Sequence, residues 1–231
     1  MIDENRTGMA RRAPNPRESL MTIFRHEQAY RSIETMAKLK TYAITICGAG
    51  ALGANMTENL ARMGYSNLRV IDFDRIEEHN LATQPYYKTD VGGFKAKVLA
   101  NSLYRAIGIK LQAETKELTA ENVATLLQDA DLVIDAFDNS RSRQLVTDYC
   151  LARSIHCLHA GLSADYAEVI WNENYRVPAE VNADLCDYPL ARNLVMLTVA
   201  IASEVMTQFV IDGTKQDFTV TLKDLNLQRF V

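Results

Sequence analysis

The segment Tyr42-Ala-Ile-Thr-Ile-Cys-Gly-Ala-Gly-Ala-Leu-Gly53 decides the fold. Its first half is a short apolar run, partly β-branched, and reads as a buried strand. Three glycines then follow in the spacing G-x-G-x-x-G, and an apolar periodic stretch from Ala51 to Met63 reads as a helix. Glycines so placed permit a tight turn and close backbone approach, and the helix N-terminus behind them attracts phosphate. A second strand, Asn67-Leu-Arg-Val-Ile-Asp72, completes a βαβ unit, so a parallel sheet is expected. Asp72 ends that strand, where an acid can grip a ribose hydroxyl. This part of the chain argues for a nucleotide and leaves open whether it is ATP or a nicotinamide dinucleotide.

Outward from this unit the alternation continues. Residues 74–94 read as a long polar loop, which in a compact domain is often functional. Helices are expected at 95–107, 120–128 and 142–152, and strands at 111–115, 131–137 and 156–160. The N-terminal stretch 20–39 reads as one helix. After Gly161 the simple repeat loosens: 168–171 suggests a strand outside it, 177–190 a loop, Leu194–Ile211 a long apolar helix, and 218–222 a closing strand. The expected architecture is therefore α/β and Rossmann-like, a mostly parallel mixed sheet with helices on both faces. It is expected over residues 19–231, behind a flexible tail of residues 1–18 in which Arg6, Arg11, Arg12 and Arg17 sit among Pro14, Asn15 and Pro16.

Composition sets bounds. The chain has 231 residues, 25 Lys and Arg against 29 Asp and Glu, and a net charge of −4, so no general nucleic-acid or membrane field is implied. No apolar segment follows Met1, so a targeting peptide is not expected. The 194–211 stretch is broken by Ser203, Glu204, Thr207 and Gln208 and reads as a core helix, not a membrane span. The four cysteines Cys47, Cys150, Cys157 and Cys186 form no C-x-x-C pair, which argues against a thiolate zinc site, and a cytoplasmic, reduced protein is expected. His156 and His159, three apart on a strand, face opposite sides and are not read as a metal pair.

The chemistry-bearing residues come in order. Asp72-Phe-Asp74 is followed by Asn80-Leu-Ala-Thr-Gln84, by Gly92-Gly-Phe-Lys95, and by Asp135-Ala-Phe-Asp138-Asn139 with Arg143 four residues on. This set resembles the ThiF/MoeB family and the related ubiquitin-activating enzymes over about residues 24–212. Those proteins carry a glycine loop, an acid–aromatic–acid strand end, an Asn-Leu-x-Arg-Gln element, a Gly-x-x-Lys and an Asp-x-x-Asp-Asn.

The resemblance implies an ATP-dependent adenylyltransferase that uses Mg²⁺ and acts on the C-terminal carboxylate of a ubiquitin-like or sulfur-carrier protein or peptide, as a homodimer. It implies a nucleotide site of Gly48, Gly50, Ala51, Gly53, Asp72, Asp74, Asn80, Lys95, Asn139 and Arg143. In that site Asp72 would hold ribose, Asn80 and Lys95 phosphates, and Asp138 Mg²⁺. Catalytic duty falls to Lys95 and Asp138, with Cys186 and Arg25 as further candidates, Arg25 standing near where relatives often send an N-terminal arginine into a partner subunit's site. The physical logic agrees, since transfer of an adenylyl group needs cations on phosphate, a carboxylate on the metal and an acid on the ribose.

Plainer readings stand beside these. Asp138 or Asn139 can cap the following helix, Lys95 can be a first-turn lysine, Asp74 a turn acid, and Arg25 part of a solvated helix face. Cys186 lies in a late loop where relatives often use a cysteine, but Asp184 and Asp187 beside it should raise its pKa. Thr83 stands where the family has arginine, removing a charge-assisted contact worth roughly 1.5–3 kcal/mol unless Arg141 or Arg143 substitutes. Competing functions are activation of a carboxylate on a modified tRNA base, an NAD(P)-dependent oxidoreductase, and a non-catalytic nucleotide-binding partner.

Overall fold

The structure, a computed structural model, describes residues 23–179 and 189–230. One eight-stranded sheet runs through it in the order β3-β2-β1-β4-β5-β6-β7-β8. Strands β1 (Ile44–Cys47), β2 (Leu68–Ile71), β3 (Gln112–Glu114), β4 (Leu132–Asp135) and β5 (His156–Ser163) are mutually parallel. Strands β6 (Tyr166–Trp171), β7 (Asp217–Thr221) and β8 (Asn226–Phe230) extend it antiparallel from β5.

Side chains alternate across this sheet and build two cores. Ile44, Ile46, Leu68, Val70, Leu132, Ile134 and Leu158 face one layer, where helices α3 (Ala51–Arg62), α4 (Lys95–Ile107) and α7 (Arg192–Asp212) pack. Cys47, Ile71, Val133 and Cys157 face the other, covered by α5 (Val123–Leu127) and α6 (Ser140–Arg153). The central strands β1, β2 and β4 are buried on both faces because helices cover both, as parallel sheets require. The α/β, Rossmann-like, mixed architecture expected from the sequence is therefore present.

The apolar helix α7 is long and apolar enough to cross a membrane by length and composition, but 61% of that window is buried inside the chain. It lies against α3, β5, β6 and β7, and its Leu194, Val195, Val199, Ala202 and Met206 sit in the cores. Burial of such side chains is worth about 1.5–3 kcal/mol each, which accounts for its place in the centre.

Three local expectations need correction. The 20–39 stretch is two helices, α1 (Arg25–Arg31) and α2 (Ile33–Thr41), because Ser32 adopts φ +80° and caps α2 by accepting from the Thr35 N–H. α1 is pinned to α7 by Arg31, whose guanidinium pairs with Glu204 at 2.6 Å. The 218–222 strand does not close the chain, since β8 follows and forms the sheet edge. The helix expected at 142–152 begins at Ser140, where the Asn139 side chain caps it. The 1–18 tail and most of the 177–190 loop lie outside the described residues.

Candidate active site

The carboxyl ends of β1, β2 and β4 open onto the glycine loop, the place where open α/β sheets bind ligands. Gly48 takes φ +99°, a conformation that side chains rarely adopt, and a Cβ there would stand 3.0 Å from the Ala136 carbonyl oxygen. A Cβ on Gly53 would stand 2.0 Å from the Gly48 carbonyl oxygen, so the first turn of α3 packs directly on the loop. Gly50 is different. It begins α3 with ordinary extended angles, φ −80° and ψ −153°, and nothing lies within 4 Å of where its Cβ would be. No side chain caps that helix start, so its first N–H groups have no side-chain acceptor.

Asp72 organises the loop from behind. Its Oδ2 accepts the Ala49 N–H at 2.6 Å and its Oδ1 the Asp74 N–H at 2.7 Å. Burial pushes its carboxyl above the usual range, against the opposing pull of the Ala49 N–H and Lys95. Each oxygen keeps acceptor capacity for a further donor. Tyr86 closes the other side by donating its hydroxyl to the Ala49 carbonyl at 2.9 Å.

Lys95 starts α4 and is buried; its Nζ lies 2.9 Å from Asp74 Oδ2, and its N–H donates to the Asp74 carbonyl at 2.9 Å. A lysine at a helix N-terminus is disfavoured by the helix dipole. The Asp74 carboxylate offsets that and holds the ammonium in place. Asp74 is thus the lysine's counter-ion. Asn80 is buried in a short 3₁₀ turn, Glu78–Ala82, where its Oδ1 accepts the Glu77 N–H at 2.9 Å. Asn55 fastens this segment to α3, donating to both the Ala51 and Thr83 carbonyls at 2.7 Å. Thr83 therefore meets the glycine-loop helix through its backbone.

Asp138 is exposed on the turn between β4 and α6. Asn139, not Asp138, supplies the cap, its Oδ1 accepting the Ser142 N–H at 2.8 Å. The capping alternative for Asp138 is thereby removed. Among the described residues no group of three or more His, Cys, Asp and Glu is arranged to hold a metal ion. A single carboxylate at this position suits an ion of the Mg²⁺ type, which keeps several waters and shares substrate phosphates.

Arg143 does not reach the open crevice. Its guanidinium is buried, donating to Tyr175 Oη at 2.8 Å and the Ala160 carbonyl at 3.0 Å, 3.7 Å from Asp135 Oδ2. It anchors α6 and hence the Asp138 turn. Arg25 is exposed on α1, and Cys186 lies outside the described residues. Cys47, Cys150 and Cys157 are buried free thiols, and burial pushes Cys47 and Cys157 far above the ordinary thiol range. Sequence reasoning missed Asn55, Tyr86, Asp135, His159, Asn172 and Tyr175. Only Asp135 carried a signal, as the first acid of Asp135-Ala-Phe-Asp138.

The ThiF family model matches residues 22–214. The chain belongs to the ThiF family. Three curated relatives carry adenylyltransferase or activating-enzyme names. The sulfur carrier protein adenylyltransferase of Thermus thermophilus is 33% identical over 117 residues, 50% of this chain and 43% of that protein. The sulfur carrier protein ThiS adenylyltransferase of Bacillus subtilis is 32% identical over 133 residues, 56% and 40% respectively. The SAMP-activating enzyme E1 of Haloferax volcanii is 32% identical over 132 residues, 56% and 48%. The chain thus spans less than half the length of these relatives. Among solved structures, E. coli MccB with ATP superposes with a TM-score of 0.74 at 18% identity, covering 92% of this chain and 71% of that one. PaaA gives 0.74 at 15% identity, covering 98% and 77%. At such identities the match shows a shared ThiF-type fold.

Proposed function

We propose that this ThiF-family chain adenylylates the C-terminal carboxylate of a small carrier protein or peptide at the expense of ATP. The observation that carries the reading is the open, uncapped start of α3 behind Gly50, flanked by Asp72, the Lys95–Asp74 pair and the exposed Asp138. Phosphate groups fit the N–H groups and helix dipole at the uncapped start of α3, and ribose hydroxyls fit the remaining acceptor capacity of Asp72. In the reaction a carboxylate oxygen of the substrate forms a bond to the α-phosphorus, and the bond from that phosphorus to pyrophosphate breaks. Lys95 would meet the charge that develops on the phosphates. Mg²⁺ beside Asp138 would neutralise the triphosphate. The substrate class follows the relatives, which are named for sulfur carrier proteins and SAMP, and MccB, solved with the peptide MccA.

The test is isotope exchange between pyrophosphate and ATP. Exchange should appear only with Mg²⁺, ATP and a carrier protein or peptide with a free C-terminus, and calorimetry should find ATP binding. Retention of NAD by the purified protein, without measurable ATP affinity, would overturn the reading.

The same reading extends to a homodimer. Ile23, Tyr30 and Ile33 on the N-terminal segment and Met196 and Leu197 on α7 are large apolar side chains left exposed. Apolar area of this kind, on elements already joined by the Arg31–Glu204 pair, favours a second copy as its cover. Light scattering at high micromolar concentration should give twice the chain mass. A monomer there would count against both the dimer and any role for Arg25 in the partner's site.

A further inference from the structure

Asp135 and His159 meet because β4 and β5 run parallel with these two residues in register. Both are completely buried. Ionisable groups there are costly unless every polar atom finds a partner. The partners are complete. His159 Nδ1 lies 2.8 Å from Asp135 Oδ2, and Asp135 Oδ1 accepts the Phe137 N–H at 3.1 Å. On the far side of the ring, Nε2 lies 2.6 Å from Asn172 Oδ1. The Asn172 amide donates to the Thr147 carbonyl at 3.3 Å, which fixes which end of it faces the histidine. Both ring nitrogens therefore face oxygen atoms, and the one toward the Asp135 carboxylate, which can only accept, is the donor.

The ring is held in place from its other sides as well. Tyr175 lies flat on it, centroids 3.8 Å apart at 8°. Cys157 Sγ is 3.5 Å from Nε2. Arg143 adds a cation 3.7 Å from Asp135 Oδ2, and Glu168, whose carboxyl burial raises above the usual range, reaches the same side of Gly161 as Arg143. Burial would raise the Asp135 carboxyl, but Arg143 and the His159 bond outweigh it and hold it below the ordinary range.

Asp135 is also the start of the turn that carries Asp138. Its Oδ1 bond to the Phe137 N–H is an Asx turn, which sets the direction in which the chain leaves β4. That turn lies over the glycine loop, with the Ala136 carbonyl oxygen 3.0 Å and Phe137 Cδ1 3.5 Å from the Cβ position of Gly48.

We propose that His159 is a positioning residue for Asp138, acting through Asp135: by donating to Oδ2 it leaves Oδ1 on the Phe137 N–H and holds the Asp138 carboxylate at the mouth of the nucleotide site. The proposal rests on Asp138 being the group that holds Mg²⁺. Residues that orient a metal ligand typically change metal affinity by about 10–100-fold when removed.

The experiment compares His159→Leu with His159→Asn, whose Nδ2 falls near the place of Nδ1 and keeps the donor to Asp135. The readouts are the Mg²⁺ concentration for half-maximal pyrophosphate exchange, the rate at saturating Mg²⁺, and AMP affinity without metal. His159→Leu should need roughly tenfold more Mg²⁺ while its rate at saturation and its AMP affinity stay near wild type. His159→Asn should recover most of the Mg²⁺ affinity. Wild-type Mg²⁺ dependence in His159→Leu, or equal impairment in both variants, overturns the proposal. Should the leucine variant fail to fold, nitrogen-15 spectra of the wild type decide. The nitrogen facing Asp135, Nδ1, should carry a proton, and an unprotonated Nδ1 overturns the arrangement. Absence of any Mg²⁺-dependent exchange in the wild type would sink the functional reading instead, and the nitrogen-15 result stands apart from it.

Discussion

Asp138→Ala is expected to fold normally and to lose at least about 100-fold in Mg²⁺-dependent pyrophosphate exchange, the scale on which removal of one preorganised electrostatic group acts. β4 delivers this carboxylate to the carboxyl end of the sheet, beside the helix start that suits a triphosphate. A carboxylate there would repel phosphate unless a divalent cation lies between them. Among the described residues no ion pair or side-chain hydrogen bond engages it, and it is exposed. Its loss should therefore change stability by no more than about 0.5 kcal/mol. Asn139→Ala is the control. It removes the cap on the Ser142 N–H and should cost about 1 kcal/mol, or roughly 2–4 °C in a domain this size, a loss that Asp138→Ala should not show. Binding of AMP without metal should be little changed in Asp138→Ala, because the glycine loop and Asp72 remain. An active but destabilised Asp138→Ala protein would sink the metal assignment.

The contrast between neighbours 138 and 139 shows what the sequence could and could not say. The pair Asp138-Asn139 announced both a cap and a functional acid, but spacing alone did not divide the roles. The Asn139 side chain lies three residues before the N–H it binds, and only coordinates show that it, and not Asp138, turns inward. The central parallel strands β1, β2 and β4 were legible because they are buried almost throughout and read as apolar runs. β8 was not, because all five of its residues are exposed and carry no burial pattern. The break at Ser32 was hidden for a related reason. The helical pattern continues on both sides, and the φ +80° there is not one that serine composition announces. Asp135 and His159 are 24 residues apart and meet only through the β4–β5 register, which a strand pattern does not fix. Arg143 was legible as a motif residue, but its burial against Tyr175 and Ala160 could not be read from a position one turn into an exposed-looking helix. Thr83 was legible as a departure from the family. The Asn55 amide bridging Ala51 and Thr83 shows that the segment is held by its backbone whatever side chain stands there.

The glycines give the second large expected effect, because the structure assigns two of them opposite reasons for being glycine. Gly53→Ala places a Cβ 2.0 Å from the Gly48 carbonyl oxygen and 2.8 Å from its carbon, both backbone atoms that no rotamer change can move. Either α3 shifts along its axis or the glycine loop opens. Overpacking typically costs about 1–3 kcal/mol, and a backbone obstacle puts this case at the upper end or beyond. A loss of roughly 6–12 °C in Tm is expected for about 3 kcal/mol in a domain of this size. Gly50→Ala meets nothing within 4 Å, and φ −80° with ψ −153° suits any residue. The unbound protein should tolerate it, with Tm within about 2 °C of wild type, since a small N-cap penalty opposes the gain from a stiffer unfolded chain. ATP affinity should nevertheless fall at least about tenfold, or about 1.4 kcal/mol, because the methyl fills the space through which phosphate reaches the first N–H groups of α3. Calorimetry and thermal melts on the two variants separate the effects. Gly53→Ala should fail in stability and drag binding with it, whereas Gly50→Ala should fail in binding alone. Wild-type ATP affinity in Gly50→Ala would mean that phosphates do not approach the loop, and the nucleotide site would then have to be sought elsewhere on the sheet.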